Sequence, residues 1–406
     1  MIFVGIDWSE EFHEVELQAG SGRVLKRLKL RADLAGLTRL QEVITDAAEE
    51  PSQVVVAIEA SHGLLVNALV ASGYRVYDIN PLTAARARQG ESPAGSKSDA
   101  GDAHLLANLV RTKRQDLRPL AGDSEQAQAV HIRARSHVRA IRHQQRLRNQ
   151  LRSSLAKFFP GALPLLGDEP EELRDALAVL TLAANPVQAR RLSLNKLRAS
   201  LARHGRQRNL DAKAAQIQEQ LRQPQPELSS AKVLSAHSDE VRYLVRSLVQ
   251  VRSEVALLEE QLAQDFEEHP DAKIILSLPG LGVVLGARVL GESGDDPTCY
   301  ANAKARKNYA GNAPITRRSG KWEARNRRVA RNRWLADATF LWARSALSAS
   351  PGARRYYDQL RARNKTDNVA LRALANRLVG ILHGCLRTRY IYDESIAWPG
   401  VLEHAA

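Results

Sequence analysis

The chain is poor in cysteine, with only Cys299 and Cys385 in 406 residues and no metal-ligand spacing around either. That excludes a disulfide framework and a cysteine-based zinc site, and it fits a reducing cytosol. No apolar run approaches 18 residues, so the sequence offers no membrane span. The opening MIFVGIDWSEEF turns acidic by Asp7 and lacks the basic start of a signal peptide. There is no tandem repeat, no low-complexity tract and none of the usual ATP motifs. Acidic residues are also in deficit. Against 59 Lys+Arg stand 45 Asp+Glu, which gives a net charge of +14 and a pI near 10.0. What is present is ordinary for a folded protein: 44% hydrophobic and 26% charged residues, on a chain long enough for two or three domains. The charge calls for a polyanionic partner, either nucleic acid or an anionic membrane surface, and a basic cytoplasmic nucleic-acid protein is the starting expectation.

The first 115 residues alternate short apolar runs with helical patterns. Ile2 to Ile6 and Val54 to Ile58 are continuous apolar runs, the mark of buried strands. His13 to Gln18 and Val24 to Leu30 alternate across a Gly20-Ser21-Gly22 turn, and Tyr74 to Ile79 is a fifth strand. Residues 33–48, 63–72 and 99–112 carry helical spacing. Three strands, helix, strand, helix, strand, helix is the element order of the ribonuclease H-like fold, a mixed sheet covered by helices. A basic helix is expected over 125–158, in a stretch without one acid from Gln126 to Gly167. Shorter helices follow over 168–226, broken at Pro186, Gly205 and Pro224/Pro226. A long helix over 227–267 places Val241, Leu244, Leu248, Val251, Val255, Leu258 and Leu262 in a 3-4 repeat, the pattern of a coiled-coil seam. Residues 271–406 read as helical around a Gly/Arg-rich loop.

Four carboxylates stand out. Asp7 lies just past the first strand in GIDWS, and Glu59 just past the fourth in AIEAS. In a ribonuclease H-like sheet those strands are neighbours. Asp99 and Asp102 open the following helix in KSDAGDAHLLA, and their i, i+3 spacing puts them on one face. Carboxylates gathered this way repel unless a divalent cation neutralises them, and oxygen ligands suit Mg²⁺ or Mn²⁺. Two such ions can activate an attacking group and stabilise a leaving oxygen in phosphoryl transfer. Each acid also has a plain structural reading, Asp7 as a turn residue and Asp99 as a helix N-cap. GESPAGSKS resembles a phosphate-binding loop but lacks the adjacent Gly-Lys, so Lys97 is read as a phosphate contact beside the carboxylates.

The second half is marked by basic residues. From Lys304 to Trp334 there are 11 Lys/Arg and one acid, Glu323, interleaved with Tyr309, Trp322 and Trp334. A nucleic-acid surface fits this density, and a solvated face is the plainer alternative. In its middle, Ser319 stands with Arg317, Arg318 and Lys321 beside it. A serine attacking phosphate needs such cations, although Ser-Gly in a basic loop is commonly a turn. Ser9 is a rival nucleophile without basic neighbours. Arg135, Arg139, Arg142 and Arg146 follow a 4-3-4 spacing that aligns them as a stripe for nucleic acid. LSLPGLGVVLGARVL resembles a helix-hairpin-helix or, equally, an ordinary core turn. His383, Arg387 and Tyr390 hint at a tyrosine recombinase, but the full set is not legible.

Taken together, GIDWS, AIEASHGLLVNALVASGYRVYDINP, SKSDAGDAHLLANLVRT, LSLPGLGVVLGARVLGESGDDP, YAGNAPITRRSGK and ALRALANRLVGILHGCL make the whole chain resemble the DEDD transposases of bacterial insertion sequences, relatives of the Piv/MooV invertases and also described as bridge-RNA-guided recombinases. The resemblance implies a RuvC-like domain with basic extension over 1–160, a helical and coiled-coil region over 161–268, and a transposase domain over 269–406. It implies metal ligation by Asp7, Glu59, Asp99 and Asp102 and a nucleophile at Ser319. It further implies donor and target DNA, a noncoding guide RNA, and a dimer or tetramer whose seam is the 227–267 helix. Many relatives carry two serines before the glycine. Here Arg318 precedes Ser319, and WEARNRRVARNRWLAD departs from the usual Gly-Asn form. Two other readings fit parts of the sequence: a metal-only RuvC-like nuclease or resolvase, and a noncatalytic nucleic-acid-binding remnant.

Overall fold

The computed structural model describes residues 1–59, 63–91, 98–117, 119–120, 122–167, 169–225, 230–319, 322–326, 328–329 and 331–399. The chain divides into two compact units, one made of 1–132 with 263–406 and the other of 133–262.

The first unit opens with β1 (Ile2–Asp7), β2 (Phe12–Ala19), β3 (Val24–Arg31), α1 (Leu34–Ala47), β4 (Val54–Ile58), α2 (Leu64–Ala71), β5 (Arg75–Asp78), α3 (Pro81–Glu91), α4 (Asp99–Lys113) and a short β6 (Pro119–Leu120). The sheet order is β3-β2-β1-β4-β5-β6, with β1, β4 and β5 parallel and the others antiparallel. This is the expected mixed α/β architecture. VVVAI of β4 is buried at every residue because helices cover both faces of the sheet. On one face Val4, Ile6, Val54, Val56 and Ile58 pack with Leu40, Val43 and Ile44 of α1 and Val66 and Leu69 of α2. On the other, Phe3, Val55, Ala57 and Tyr77 pack with Ala84 of α3 and Leu105, Leu106, Leu109 and Val110 of α4. At the outer edge, β3 carries Lys26, Arg27, Lys29 and Arg31, charges that guard an open strand against further pairing.

The chain enters the second unit along α5 (Glu125–Phe158), continues through α6 (Pro170–Leu182), α7 (Pro186–Arg190), α8 (Leu194–Arg203) and α9 (Leu210–Arg222), and leaves along α10 (Ala231–Glu267). Leu147, Leu151, Leu155 and Phe158 of α5 share a core with Leu177, Leu197, Ile217, Val241, Leu244 and Leu248. The first half of the coiled-coil seam is therefore covered by this chain's own helices. Val251 packs at the margin of that core, and Val255 and Leu258 are half-buried.

The first unit is completed by α11 (Ala272–Ser277), α12 (Val283–Ser293), α13 (Ala303–Tyr309), a hairpin of β7 (Ile315–Ser319) and β8 (Trp322–Asn326), α14 (Arg333–Ala349), α15 (Pro351–Ala362), α16 (Asp367–Thr388) and α17 (Glu394–Ala397). The Gly/Arg-rich stretch expected as a loop is thus a two-stranded antiparallel ribbon. The Pro-Gly-Leu-Gly turn between α11 and α12 packs its Pro279-Gly280 half on α14, while Gly282 is exposed. Gly280 has φ +80°, a β-carbon there would lie 2.5 Å from the Ala346 amide nitrogen, and the Trp342 indole donates to the Pro279 carbonyl at 2.9 Å. By length and composition alone α16 is apolar enough to cross a membrane, a test that core helices of globular proteins also pass. Its Leu371, Leu374, Leu378 and Leu382 are nonetheless fully buried, as in the core helix of a globular domain.

Candidate active site

The parallel register pairs Ile6 with Ile58, the last pair of the ladder; Asp7 closes β1 and Glu59 follows in the bend just past β4, so the two acids leave the same end of neighbouring strands. Neighbouring strands lie about 4.8 Å apart. Alternation places Asp7 on the face of Phe3 and Gly5, the face covered by α4. The antiparallel partner of Asp7 across the sheet is Glu14, whose carboxylate meets Lys29 at 3.4 Å.

α4 reaches this end of the sheet because Gly5 lets it in. A β-carbon at Gly5 would stand 2.0 Å from the Ala103 carbonyl oxygen and 2.5 Å from the Ala107 nitrogen. Ser98 is the N-cap of α4, its hydroxyl accepting from the Gly101 amide at 3.2 Å, so the capping role considered for Asp99 belongs to its neighbour. Asp99 is exposed at the helix start, while Asp102 is 5% exposed. Arg88 of α3 donates to Asp102 Oδ1 from Nε at 2.8 Å and from Nη2 at 2.5 Å. Lys97 lies outside the described residues.

Among the described residues, no three His, Cys, Asp or Glu side chains stand close enough together to hold a metal ion. The donor chemistry still fits a hard cation: carboxylates only, at one end of a sheet, with no thiolate among them. Asp102 is the informative member, a buried carboxylate that already has a cation, Arg88, against one oxygen.

A neighbouring network was not foreseen. Glu16 of β2 is 1% exposed, and its Oε1 meets His104 Nδ1 at 2.6 Å and Gln18 Nε2 at 2.8 Å, while Arg27 Nε donates to Oε2 at 2.8 Å. Burial pushes the Glu16 carboxyl upward, but hydrogen bonds from Gln18, Arg27 and His104 outweigh it and hold the group below the ordinary carboxylate range. HEVELQ alternates as though Glu14, Glu16 and Gln18 faced water, but α4 covers that face. Arg88 escaped notice because α3 has no apolar stripe to announce it.

Ser319 is the last residue of β7 and pairs with Trp322 across the two residues Gly320 and Lys321, which are outside the described set. Of its neighbours, Arg318 is exposed. The ribbon's root is tied to α13: Arg328 donates to Asn308 Oδ1 at 3.1 Å, and the Asn332 amide donates to the Tyr309 carbonyl at 2.9 Å. Asn332 also caps α14 through Trp334 and Leu335, and its side-chain amide donates to Glu292 at 2.8 Å. Ser9, the rival nucleophile, is engaged in its own turn, its hydroxyl donating to the Phe12 carbonyl at 2.5 Å. In α5, Arg139, Arg142 and Arg146 are exposed along one face, and Arg135 is half-buried.

Residues 4–160 match a family model of DEDD, IS110-type transposases, and residues 272–358 match one described as the transposase of the IS116/IS110/IS902 family. The mini-circle transposase for IS117 of Streptomyces coelicolor is 40% identical over 100% of this chain and 98% of its own length. The 42 kDa protein of insertion element IS900 from Mycobacterium paratuberculosis is 29% identical over 97% of this chain and 98% of its own.

Proposed function

Because the chain belongs to the IS110/IS116/IS902 transposase family, a group of enzymes acting on DNA by phosphoryl transfer, we propose that it cuts and rejoins strands through a covalent link at Ser319. The observation that supports its metal half most is that Asp7 and Glu59 leave the same end of two neighbouring parallel strands, on which α4, the helix of Asp99 and Asp102, packs through Gly5. In this reading Asp7, Glu59, Asp99 and Asp102 hold Mg²⁺ or Mn²⁺. When bound, the ion supplies charge neutralisation at the phosphate and a lower pKa for the attacking hydroxyl. The Ser319 hydroxyl attacks phosphorus. A bond forms between Oγ and phosphorus, the bond to one sugar oxygen breaks, and that oxygen leaves carrying the proton. Attack by a second sugar hydroxyl reverses the sequence and frees the serine. The phosphoserine link keeps the phosphodiester energy, so no nucleotide is consumed. Arg317, Arg318 and Lys321 hold the phosphate oxygens. Lys97 and the Arg135–Arg139–Arg142–Arg146 stripe carry the flanking nucleic acid, donor and target DNA with a noncoding guide RNA.

The segments 1–160, 161–268 and 269–406 divide this work into metal binding, helical assembly and serine delivery. Assembly as a dimer or tetramer uses the α10 stretch around Val255 and Leu258, the part of the seam that the chain's own core leaves half-buried. The decisive experiment is Ser319→Ala. It should abolish the covalent protein–DNA adduct on denaturing gels while leaving DNA binding near wild type. Asp102→Ala should do the same, and mixing the two inactive proteins should restore some activity if serine and carboxylates come from different protomers. Strand exchange by Ser319→Ala would replace this reading with metal-only nuclease chemistry.

A further inference from the structure

α16 carries Gly380, His383, Gly384 and Arg387 at i, i+3, i+4 and i+7, a single strip on the side away from the buried Leu371, Leu378 and Leu382. α13 packs along α16 and brings two cations to it. Lys307 crosses Gly380, where a β-carbon would lie 2.7 Å from its Nζ. Arg306, 5% exposed, lays its guanidinium over the Tyr300 ring at 4.4 Å. At Gly384 a β-carbon would meet nothing within 4 Å, so the strip is open beside Gly384, and Arg387 one turn on is exposed. His383 itself is held below the ordinary histidine range, first by burial and then by Arg306, Arg387 and Lys307.

The acids on elements packed against α16 have cationic partners of their own: Asp337 of α14 with Arg288, Asp358 of α15 with Arg354, and Asp271 at the start of α11 with Arg389. Asp367, at the N-terminal end of α16 itself, pairs with Arg344. The strip also borders the root of the β7–β8 ribbon, since Asn308 and Tyr309, the next residues of α13, anchor Arg328 and Asn332.

We propose that Lys307, His383 and Arg387 form a phosphate-binding site that grips the DNA backbone beside the β7–β8 ribbon. The site deepens the reading of the chain as a DNA enzyme and does not depend on serine chemistry. Lys307 and Arg387 bring two positive charges to one strip from two helices, and an anion between them relieves their mutual repulsion. Seven residues of helix span roughly 10 Å, longer than one free phosphate and open at the Arg387 end, which suits a strand passing through. A bound phosphodiester also reverses the field on His383, so the imidazole takes up a proton as DNA docks.

The test uses the full chain and a short labelled DNA duplex. Arg387→Gln and Lys307→Gln should each reduce the slope of log affinity against log salt by about one. Wild-type affinity should rise between about pH 8 and pH 6, and His383→Gln should flatten that rise. In NMR titrations of the wild type, the His383 imidazole should titrate about one unit or more higher with duplex than without. Unchanged salt slopes in both variants, with folded-state circular dichroism intact, and a His383 titration indifferent to duplex would overturn the site. A shift produced by single-stranded RNA or inorganic phosphate, with none from duplex, would overturn DNA as its occupant. A wild type that binds no duplex at all would overturn the DNA reading together with the site.

Discussion

Gly5 of β1 lies against the backbone of Ala103 in α4, so closely that a β-carbon at Gly5 would stand 2.0 Å from the Ala103 carbonyl oxygen. That contact sets the height of α4 over the sheet, and with it the placement of Asp102 relative to the strand ends that carry Asp7 and Glu59.

Gly5→Ala must therefore push α4 away. Overpacking of this kind costs about 3 kcal/mol and displaces Asp102 along with the helix. The denaturation midpoint should fall sharply, while Gly20→Ala, whose β-carbon meets nothing within 4 Å, should leave it almost unchanged. Equal midpoints for the two variants would mean that α4 does not depend on the absent side chain.

Glu16 makes a prediction about acid. Its carboxyl is held below the ordinary range in the folded chain, because bonds from Gln18, Arg27 and His104 outweigh the upward push of burial. A depressed carboxyl contributes stability that is fully present above its unfolded pKa, about 4.3, and is lost as pH falls through the lower folded value. Glu16→Gln should cost about 2 kcal/mol at neutral pH by weakening charged hydrogen bonds. The gap to wild type should close below the ordinary carboxylate range. A gap that persists unchanged at pH 3 would show that the effect is steric.

The seam of α10 separates two effects. Leu248 is fully buried against α5 and its neighbours, so Leu248→Ala should cost about 2–5 kcal/mol in a single chain. Val255 and Leu258 lie beyond that core and are half-buried. Replacing both by Glu should lower the assembled mass in light scattering with the unfolding midpoint little changed. A mass that stays constant would remove this stretch from any subunit contact.

The sheet was legible because its strands advertise themselves. IFVGI and VVVAI are apolar throughout, HEVELQ and VLKRLKL alternate, and helical spacing separates them. The placement of Asp7 and Glu59 followed from strand order alone. Less was readable where local pattern is weak. PLTAARARQGE forms α3 without an apolar stripe, β6 is only two residues, and ITRRS becomes β7 although consecutive arginines interrupt any apolar alternation. Periodicity in α10 revealed an apolar stripe but not what covers it, since an intrachain core and a partner helix ask for the same residues. Glu16 and Arg88 became visible only when α4 covered the face on which one sits and drew the other to Asp102.

Arg88 and the proposed divalent ion would compete for the same carboxylate. Asp102 is 5% exposed, and a buried carboxylate without a counterion is costly; here Arg88 supplies two donors to Oδ1, at 2.8 and 2.5 Å. The Arg88 side chain is 24% exposed and can withdraw toward water. If Asp102 is a metal ligand, cation binding must displace Arg88 or share the carboxylate with it. Arg88→Gln should then cost about 3 kcal/mol in metal-free buffer, because Asp102 is left buried without its cation. Manganese should restore part of that loss, since a ligand that binds only the folded state stabilises it by mass action. The rise in Tm on adding Mn²⁺ should therefore be larger in Arg88→Gln than in wild type, and absent in Asp102→Asn. Equal rises in all three proteins would place the ion elsewhere and leave Arg88–Asp102 as a structural ion pair.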